Sequence, residues 1–563
     1  MEKFLRVDVG SSKIYYEAVA ERYQSVGGRS LIAKLLLDEV EATCEPLGQQ
    51  NKLIIATGML AGANISSAGR ISIGAKSPLT GGIKESNAGG ITANRLAQLG
   101  IKAIILEGLP QDDKWYMLKI DAKGANLIPA DQYLGMGTYQ FCETLLKEYP
   151  KAAITCIGPA GEKLYGAAGV ATIDREGWPS RYSGRGGMGA VMGSKQIMAV
   201  IVDGRGNVPI ADEDTFKKVW KKYTNILRDA PSSIAYRDFG TPAMVQTVNA
   251  LGGLPVNNFS SGSFDQVESI SAETLNDVIK QRGGQTSHAC MPGCVIACSN
   301  VYKDRQGSVV VSPLEYETIG LMGSNLGIAD LDVIAQLNYL CNDIGLDTIE
   351  TGAAVGVAME ANVAEFGDGK AAVRLLEEIR IGTPLGRVLG NGAAVTGKVF
   401  GVINVPQVKG QAMAAYDPRA IKGMGVTYAT SAMGADHTAG PTARSPVDHT
   451  NPKGHAELSY KLQKLIAILD GTGLCLFTVG AIGGELQLIV DLINSRFGWD
   501  FDLDWLNQMA LQTLKDEYRF NQLAGFSKKH YRLPETFTRR KLPNLDTVFD
   551  VSEEDLDKLL EFE

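Results

Sequence analysis

Three cysteines fall within nine residues, Cys290-Met-Pro-Gly-Cys294-Val-Ile-Ala-Cys298, in a chain of 563 residues that holds eight in all. Three thiols at this spacing suit a zinc ion or an iron–sulfur cluster. On one straight helix Cys290 and Cys298 would stand about 12 Å apart along the axis, too far for a common centre. Pro292 and Gly293 break such a helix and let the chain curl around one centre. Three ligands are one short of the usual four. His288 is the candidate fourth for zinc, and Cys475 for a [4Fe–4S] cluster. Three buried, unligated cysteines are the plain alternative. Cys44, Cys142, Cys156 and Cys341 are scattered, and eight cysteines are too sparse for a disulfide scaffold.

The rest of the composition narrows the class. Hydrophobic residues make up 45% and charged residues 21%, the balance of a globular protein rather than a disordered one. A formal charge of −8 argues against a nucleic-acid partner, and the basic stretch SKKHYRLPETFTRRK reads as solvated surface. The longest apolar stretch, from Leu474, meets Glu485 too soon to span a bilayer, and MEKFLRVDVG lacks the apolar core of a secretory signal. The expectation is a cytoplasmic protein with no membrane partner.

Length predicts three or four domains. FLRVDVG, KIYYEAV, KLIIATG, GRISIGA, KAIILEG and WYMLKID read as strands, separated by glycine-rich loops such as SPLTGGIKESNAGGI. Such loops either bring main chain close to a ligand or only connect short strands. ADEDTFKKVWKKYTNILRDA opens a mainly helical part. ADLDVIAQLNYLCNDIG and KGHAELSYKLQKLIAILDGTG are further helices, Gly345 a helix stop and Thr348 an N-cap. No sequence repeat of fixed period is found. The fold class is α+β: a β-rich domain over 1–208, then helical domains over 209–400 and 401–563.

Other motifs are weaker. GRGGMG, from Gly184, fits a dinucleotide fingerprint formally, but WPSRYS before it does not read as a strand and no ribose-binding acid follows at the right distance. An anion can still sit there, near Arg181 and Arg185. Glu315 or Glu317 suits a general base if buried near substrate, with a surface carboxylate as the commoner case. His437 is isolated in a small-residue loop, where a structural role is commoner.

Taken together the motifs carry a resemblance. VGGRSLIAKLLLDEV, NKLIIATGMLAGANISSAGR, KSPLTGGIKESNAGG, IGPAGEKL, GRGGMGAVMGSK, PLEYETIGLMGSNLGIADL, CNDIGLDTIETG, AYDPRAIKGMGVTYAT and DGTGLCLFT resemble the tungsten-containing aldehyde ferredoxin oxidoreductase family over nearly the whole chain. The resemblance implies a β-rich base carrying a tungsten bis-pterin, two helical domains forming a substrate channel, a [4Fe–4S] cluster, and a magnesium ion bridging the pterin phosphates. It implies Arg70 and Arg181 near those phosphates, Asn87 and Tyr182 offering carbonyls to magnesium, and Gly89 close to a pterin. Asp347 and Asp470 would hydrogen-bond the pterin rings, with Leu346 and Leu474 beside them. Cys290, Cys294, Cys298 and Cys475 would hold the cluster, and Glu317 and His437 would stand beside the metal. The reaction implied is oxidation of an aldehyde with water to a carboxylic acid, with electrons passing to ferredoxin or a ferredoxin-like subunit.

There are departures from the family pattern. Both cysteine gaps are three residues, and Ser287 stands near where a first cysteine would align. Gln336 and Tyr339 replace a Glu-x-x-His pair that holds a bridging iron between subunits, so a dimer of that type is not expected. Asn342 replaces an acid, and Ala439 a lysine. These changes bear on the substrate more than on the cofactor. Three rival readings remain: an acyl-CoA or acid reductase on the same scaffold, a non-catalytic iron–sulfur electron-transfer subunit, and a zinc protein.

Overall fold

A computed structural model describes residues 2–543 and 545–561. The architecture is α+β, with two six-stranded sheets built from the first third of the chain and a mostly helical remainder. The first sheet holds β1 (Lys3–Asp8), β2 (Lys13–Ala18), β3 (Leu53–Thr57), β4 (Ile71–Lys76), β5 (Ile83–Ala88) and β6 (Ile101–Glu107). The second holds β7 (Tyr116–Asp121), β8 (Gly124–Pro129), β9 (Ala153–Cys156), β10 (Val170–Thr172), β11 (Arg181–Ser183) and β12 (Ile197–Asp203).

The two sheets repeat one topology. Their orders are β2-β1-β6-β3-β4-β5 and β8-β7-β12-β9-β10-β11, each strand of the second lying six places after its counterpart. The β1/β6 and β7/β12 pairs are parallel, and the other pairs are antiparallel in both sheets. Helices follow at the same points: Gly28–Glu39 and Thr92–Gln98 in one half, Thr138–Glu148 and Met188–Ser194 in the other. The duplication escapes a search for sequence period because a strand face asks only for alternating burial, not for identical residues.

Two local expectations need correction. The stretch IKESNA, read as loop, is β5. Its Lys84, Glu85 and Ser86 are buried beside apolar neighbours, so the polar–apolar alternation of a half-exposed strand is absent. Arg181–Ser183, inside WPSRYS, is also a strand. It is an antiparallel edge strand paired only with β10, and the next strand, β12, lies elsewhere in the sheet. The parallel βαβ unit that a dinucleotide site needs is therefore absent from this segment.

Two helices end on equivalent points of the duplicated base. Helix Leu331–Ile344 stops at Gly345 (φ +86°) and helix His455–Thr472 at Gly473 (φ +81°). In both the next amide bonds back five residues, Leu346 N to Cys341 O at 2.8 Å and Leu474 N to Leu469 O at 2.9 Å. This is a left-handed glycine cap that only glycine adopts without strain. The Gly345 carbonyl accepts from Gly169 N (2.9 Å) and the Gly473 carbonyl from Arg70 N (3.2 Å). Gly169 and Arg70 immediately precede β10 and β4, which are counterparts. The helix after Gly345 is capped by Asp347, whose Oδ1 accepts from Ile349 N at 3.0 Å; Thr348 is its first residue rather than its cap. Among the described residues no single helix is long and apolar enough to cross a membrane.

Candidate active site

The candidate residues converge where the two caps meet the base. Cys290 to Cys298 form an irregular loop between strands Gln285–His288 and Ser299–Lys303, turned at Gly293 (φ +75°) as the Pro-Gly pair predicts. Cys475 follows the second cap, and its amide donates to Ser67 O at 2.8 Å. Ser67 Oγ lies 3.4 Å from Cys294 Sγ. Burial raises the Cys290 thiol to about 12, and also raises Cys298 and Cys475, each reinforced by the other thiols of the group. Four thiols within electrostatic reach of one another repel as thiolates, so a shared cation is what turns them into ligands. Gly89 sits against them: a Cβ there would stand 3.0 Å from Cys290 Sγ. His288, the zinc alternative, faces elsewhere. Its Nδ1 lies 3.3 Å from Arg181 and its Nε2 2.9 Å from Glu176.

The two acids behind the caps are held by arginines. Asp470 accepts from Asn87 Nδ2 (3.1 Å) and from Arg29 (3.3 Å), and Arg29 also grips Glu517 at 2.7 and 2.9 Å. Asp347 Oδ2 accepts from Arg185 Nε at 3.4 Å. Arg185 spends its other nitrogens on the carbonyls of Ala412 and Ala435, so it fastens loops rather than waiting for an anion. Arg70 donates to the Asn87 side chain and, at 2.9 Å, to its carbonyl. Burial would lower Arg70, yet Cys475, Cys290 and Asp470 keep it charged. Arg181 donates to Ser299 (2.8 Å) and Asp174 (3.4 Å), while its Nε is buried without a partner. Asn87 and Tyr182 occupy the same register position, next to last in β5 and β11. Tyr182 donates its hydroxyl to the carbonyl of Asn342. Leu346 and Leu474 are buried beneath the caps.

Glu317 and His437 meet although 120 residues separate them. His437 Nε2 lies 3.5 Å from Glu317 Oε1, and the side chains keep 18% and 15% of their surface exposed. Glu317 Oε2 accepts from Ala415 N at 2.8 Å, while its Oε1 and His437 Nδ1 have no hydrogen-bond partner. Burial raises the Glu317 carboxyl, opposed by His437 and Arg185. Glu315 points away and accepts from Thr241, which separates the two candidate bases. The His437 loop is anchored through Asp436, which pairs with Lys84 of β5 and is held far below the usual carboxylate range against its burial.

Sequence reasoning missed Lys84, Asp436, Arg29 and Glu85. Lys84 and Glu85 lie in the segment read as a loop, and nothing in a linear sequence announces partners 352 residues apart, as Lys84 and Asp436 are. The Glu85 carboxyl is raised to about 8, first by burial and then by Asp470. Its Oε1 is buried without a partner.

Orphaned atoms at Arg181, Glu85, Glu317 and His437, with four gathered thiols and backbone held close by glycines, fit a large polar cofactor with a cluster beside it.

Residues 4–204 match the N-terminal domain of aldehyde ferredoxin oxidoreductase, and residues 218–561 match its domains 2 and 3. The chain is 32% identical to the tungsten-containing aldehyde ferredoxin oxidoreductase of Pyrococcus furiosus and to that of Thermococcus kodakarensis, over 96% of this chain and 92% of each relative. It is 28% identical to the WOR-like subunit of an aliphatic sulfonate oxidoreductase from Pyrococcus furiosus, over 91% of this chain and 84% of the relative. In fold it superposes on a chain of the BamBC active-site complex of benzoyl coenzyme A reductase with a TM-score of 0.81, at 18% identity, covering 99% of this chain and 96% of that one. The chain belongs to the aldehyde ferredoxin oxidoreductase family.

Proposed function

We propose that this protein oxidises an aldehyde with water to the carboxylic acid at a tungsten bis-pterin, and passes the electrons through a [4Fe–4S] cluster to ferredoxin or a ferredoxin-like subunit. The observation that carries the reading is the Glu317–His437 contact, placed in the same convergence as the four cysteines and the two capped acids. When bound, the tungsten centre supplies the two-electron oxidation and the cluster divides it into single-electron steps.

The chain's own groups have separable tasks. Asp470 and Asp347 offer carboxylate oxygens to the donor edges of the pterin rings. Arg70 and Arg181 would hold the phosphates, where a fork of donors suits a dianion. The Asn87 and Tyr182 carbonyls are oxygen ligands of the kind magnesium takes. Cys290, Cys294, Cys298 and Cys475 are the cluster ligands. Glu317 Oε1 takes the proton of the attacking water; the Ala415 amide fixes its other oxygen, so one lone-pair edge faces the reaction. His437 Nε2 donates to the aldehyde oxygen. The Lys84–Asp436 pair and Arg185 hold the His437 loop in place.

The test is elemental analysis of anaerobically purified protein for W, Mo, Fe, Zn and Mg, from a host supplied with both tungstate and molybdate and able to build the pterin. About one tungsten and four irons per chain, with aldehyde-dependent reduction of a viologen dye, are expected. Zinc alone, or iron without tungsten or molybdenum, overturns the reading.

A further inference from the structure

The loop that carries His437 holds one other cationic side chain. Arg444 is the single lysine or arginine between Lys422 and Lys453, and it is exposed at the end of the short helical turn Thr442–Arg444. Its guanidinium carbon lies 4.2 Å from the centre of the Tyr236 ring, which in turn packs against Phe477 at 4.4 Å. The site's other arginines, Arg29, Arg70, Arg181 and Arg185, each bond protein oxygens. Among the described residues Arg444 has no carboxylate within ion-pair distance and no hydrogen bond. It keeps five N–H donors free above an aromatic face that tolerates the charge.

This cation faces the catalytic pair across tyrosines. Tyr416 lies 6.2 Å from the His437 ring and 5.1 Å from Tyr316, which follows Glu315 and precedes Glu317. The charge of Arg444 offsets part of the rise that burial imposes on Tyr236, Tyr316 and Tyr416, so all three phenols lie within its electrostatic reach. Tyr316 donates to Ala415 O, but the Tyr236 and Tyr416 hydroxyls have no hydrogen-bond partner among the described residues. Three uncommitted polar groups therefore lie around one cluster of aromatic rings that reaches His437 and, through Tyr316, the residue next to Glu317.

We infer that Arg444, with the Tyr236 and Tyr416 hydroxyls, forms the outer recognition element of the substrate site and selects aldehydes that carry a remote anionic group, a carboxylate or a sulfonate. The inference rests on the aldehyde-oxidising reading of the Glu317–His437 pair. A guanidinium fork matches a planar carboxylate in two bonds, and phenol hydroxyls donate to the same oxygens. The rings of Tyr236, Tyr316 and Tyr416 suit an aromatic spacer between the anion and the aldehyde.

The experiment compares 4-carboxybenzaldehyde, 4-sulfobenzaldehyde and 4-methylbenzaldehyde on holoenzyme, wild type and Arg444→Gln. The wild type is expected to favour an anionic aldehyde over the methyl compound by about tenfold in kcat/KM, mostly through KM, and salt is expected to erode that preference. Arg444→Gln is expected to abolish the preference, and Arg444→Lys to restore part of it. A preference for both anions reports charge recognition, and one for the carboxylate alone reports the planar fork; either supports the inference. Titration calorimetry with 1,4-benzenedicarboxylate against benzoate gives the same answer without turnover, so a protein that oxidises no aldehyde fails the functional reading separately. Equal wild-type use of charged and neutral aldehydes, together with equal binding of the two acids, overturns the inference. So does an Arg444→Gln variant that loses charged and neutral substrates alike, or one that slows only reduction of the electron acceptor.

Discussion

His437 Nε2 stands 3.5 Å from Glu317 Oε1, close enough for charge coupling and slightly long for a hydrogen bond. A substrate oxygen or a water can enter between them without breaking a strong existing bond. Glu317→Gln keeps the shape and the Ala415 contact but removes the proton acceptor. Its kcat is expected to fall by about 10²-fold or more with tungsten content unchanged, read by anaerobic steady-state kinetics beside elemental analysis.

The same pair sets a pH dependence. Burial lifts the Glu317 carboxyl and His437 pulls it back. The acid limb of kcat/KM, where activity rises as the base ionises, therefore lies above the ordinary carboxylate range. His437→Gln removes that opposing charge, so the limb moves to still higher pH. A limb that stays in place assigns the base elsewhere.

Cys298→Ser tests the cluster. Its thiol is raised by burial and, next, by Glu315. The variant is expected to lose most of its iron, about four per chain in the wild type, and its reduced-cluster paramagnetic signal. Retention of four irons with an unchanged signal removes Cys298 from the ligand set. Because Gln336 and Tyr339 stand where a bridging pair would be, and Tyr339 stacks on Tyr139 at 4.9 Å, iron beyond the cluster is not expected.

Glu85 supplies a stability test. Its folded value is about 8 against an ordinary 4.5, so the fold favours the protonated acid. The stability this contributes is fully present below about pH 4.5 and is lost as pH rises toward 8, because unfolding releases the proton throughout that window. Glu85→Gln cannot ionise. In thermal unfolding of apo-protein its midpoint is expected to gain on wild type steadily between pH 5 and 8. A difference independent of pH contradicts the assignment.

Arg185→Lys tests the fastening of the two loops. A lysine cannot reach Asp347, Ala412 and Ala435 together, and the lost buried hydrogen bonds cost about 2–3 kcal/mol. Lower unfolding midpoints and several-fold weaker tungsten retention are the expected readouts.

What the linear sequence determined is what depends on neighbours along the chain. The Pro292-Gly293 turn, the stop at Gly345 and the long helices follow from φ preference and periodicity, which act over a few residues. The strands with alternating or β-branched faces were equally legible. The cysteine spacing singled out one segment as a candidate metal or cluster site, and the family motifs supplied candidate roles that no local pattern states. The tertiary structure decided the rest. It made a strand of IKESNA, whose polar residues are satisfied by partners hundreds of positions away. It moved a helix cap from Thr348 to Asp347. It turned His288 toward Glu176 and separated Glu317 from Glu315. It also revealed a duplicated base with one helix cap seated on each half. Burial, charge coupling and the meeting of distant loops depend on distance in space, and one-dimensional order carries no record of that distance.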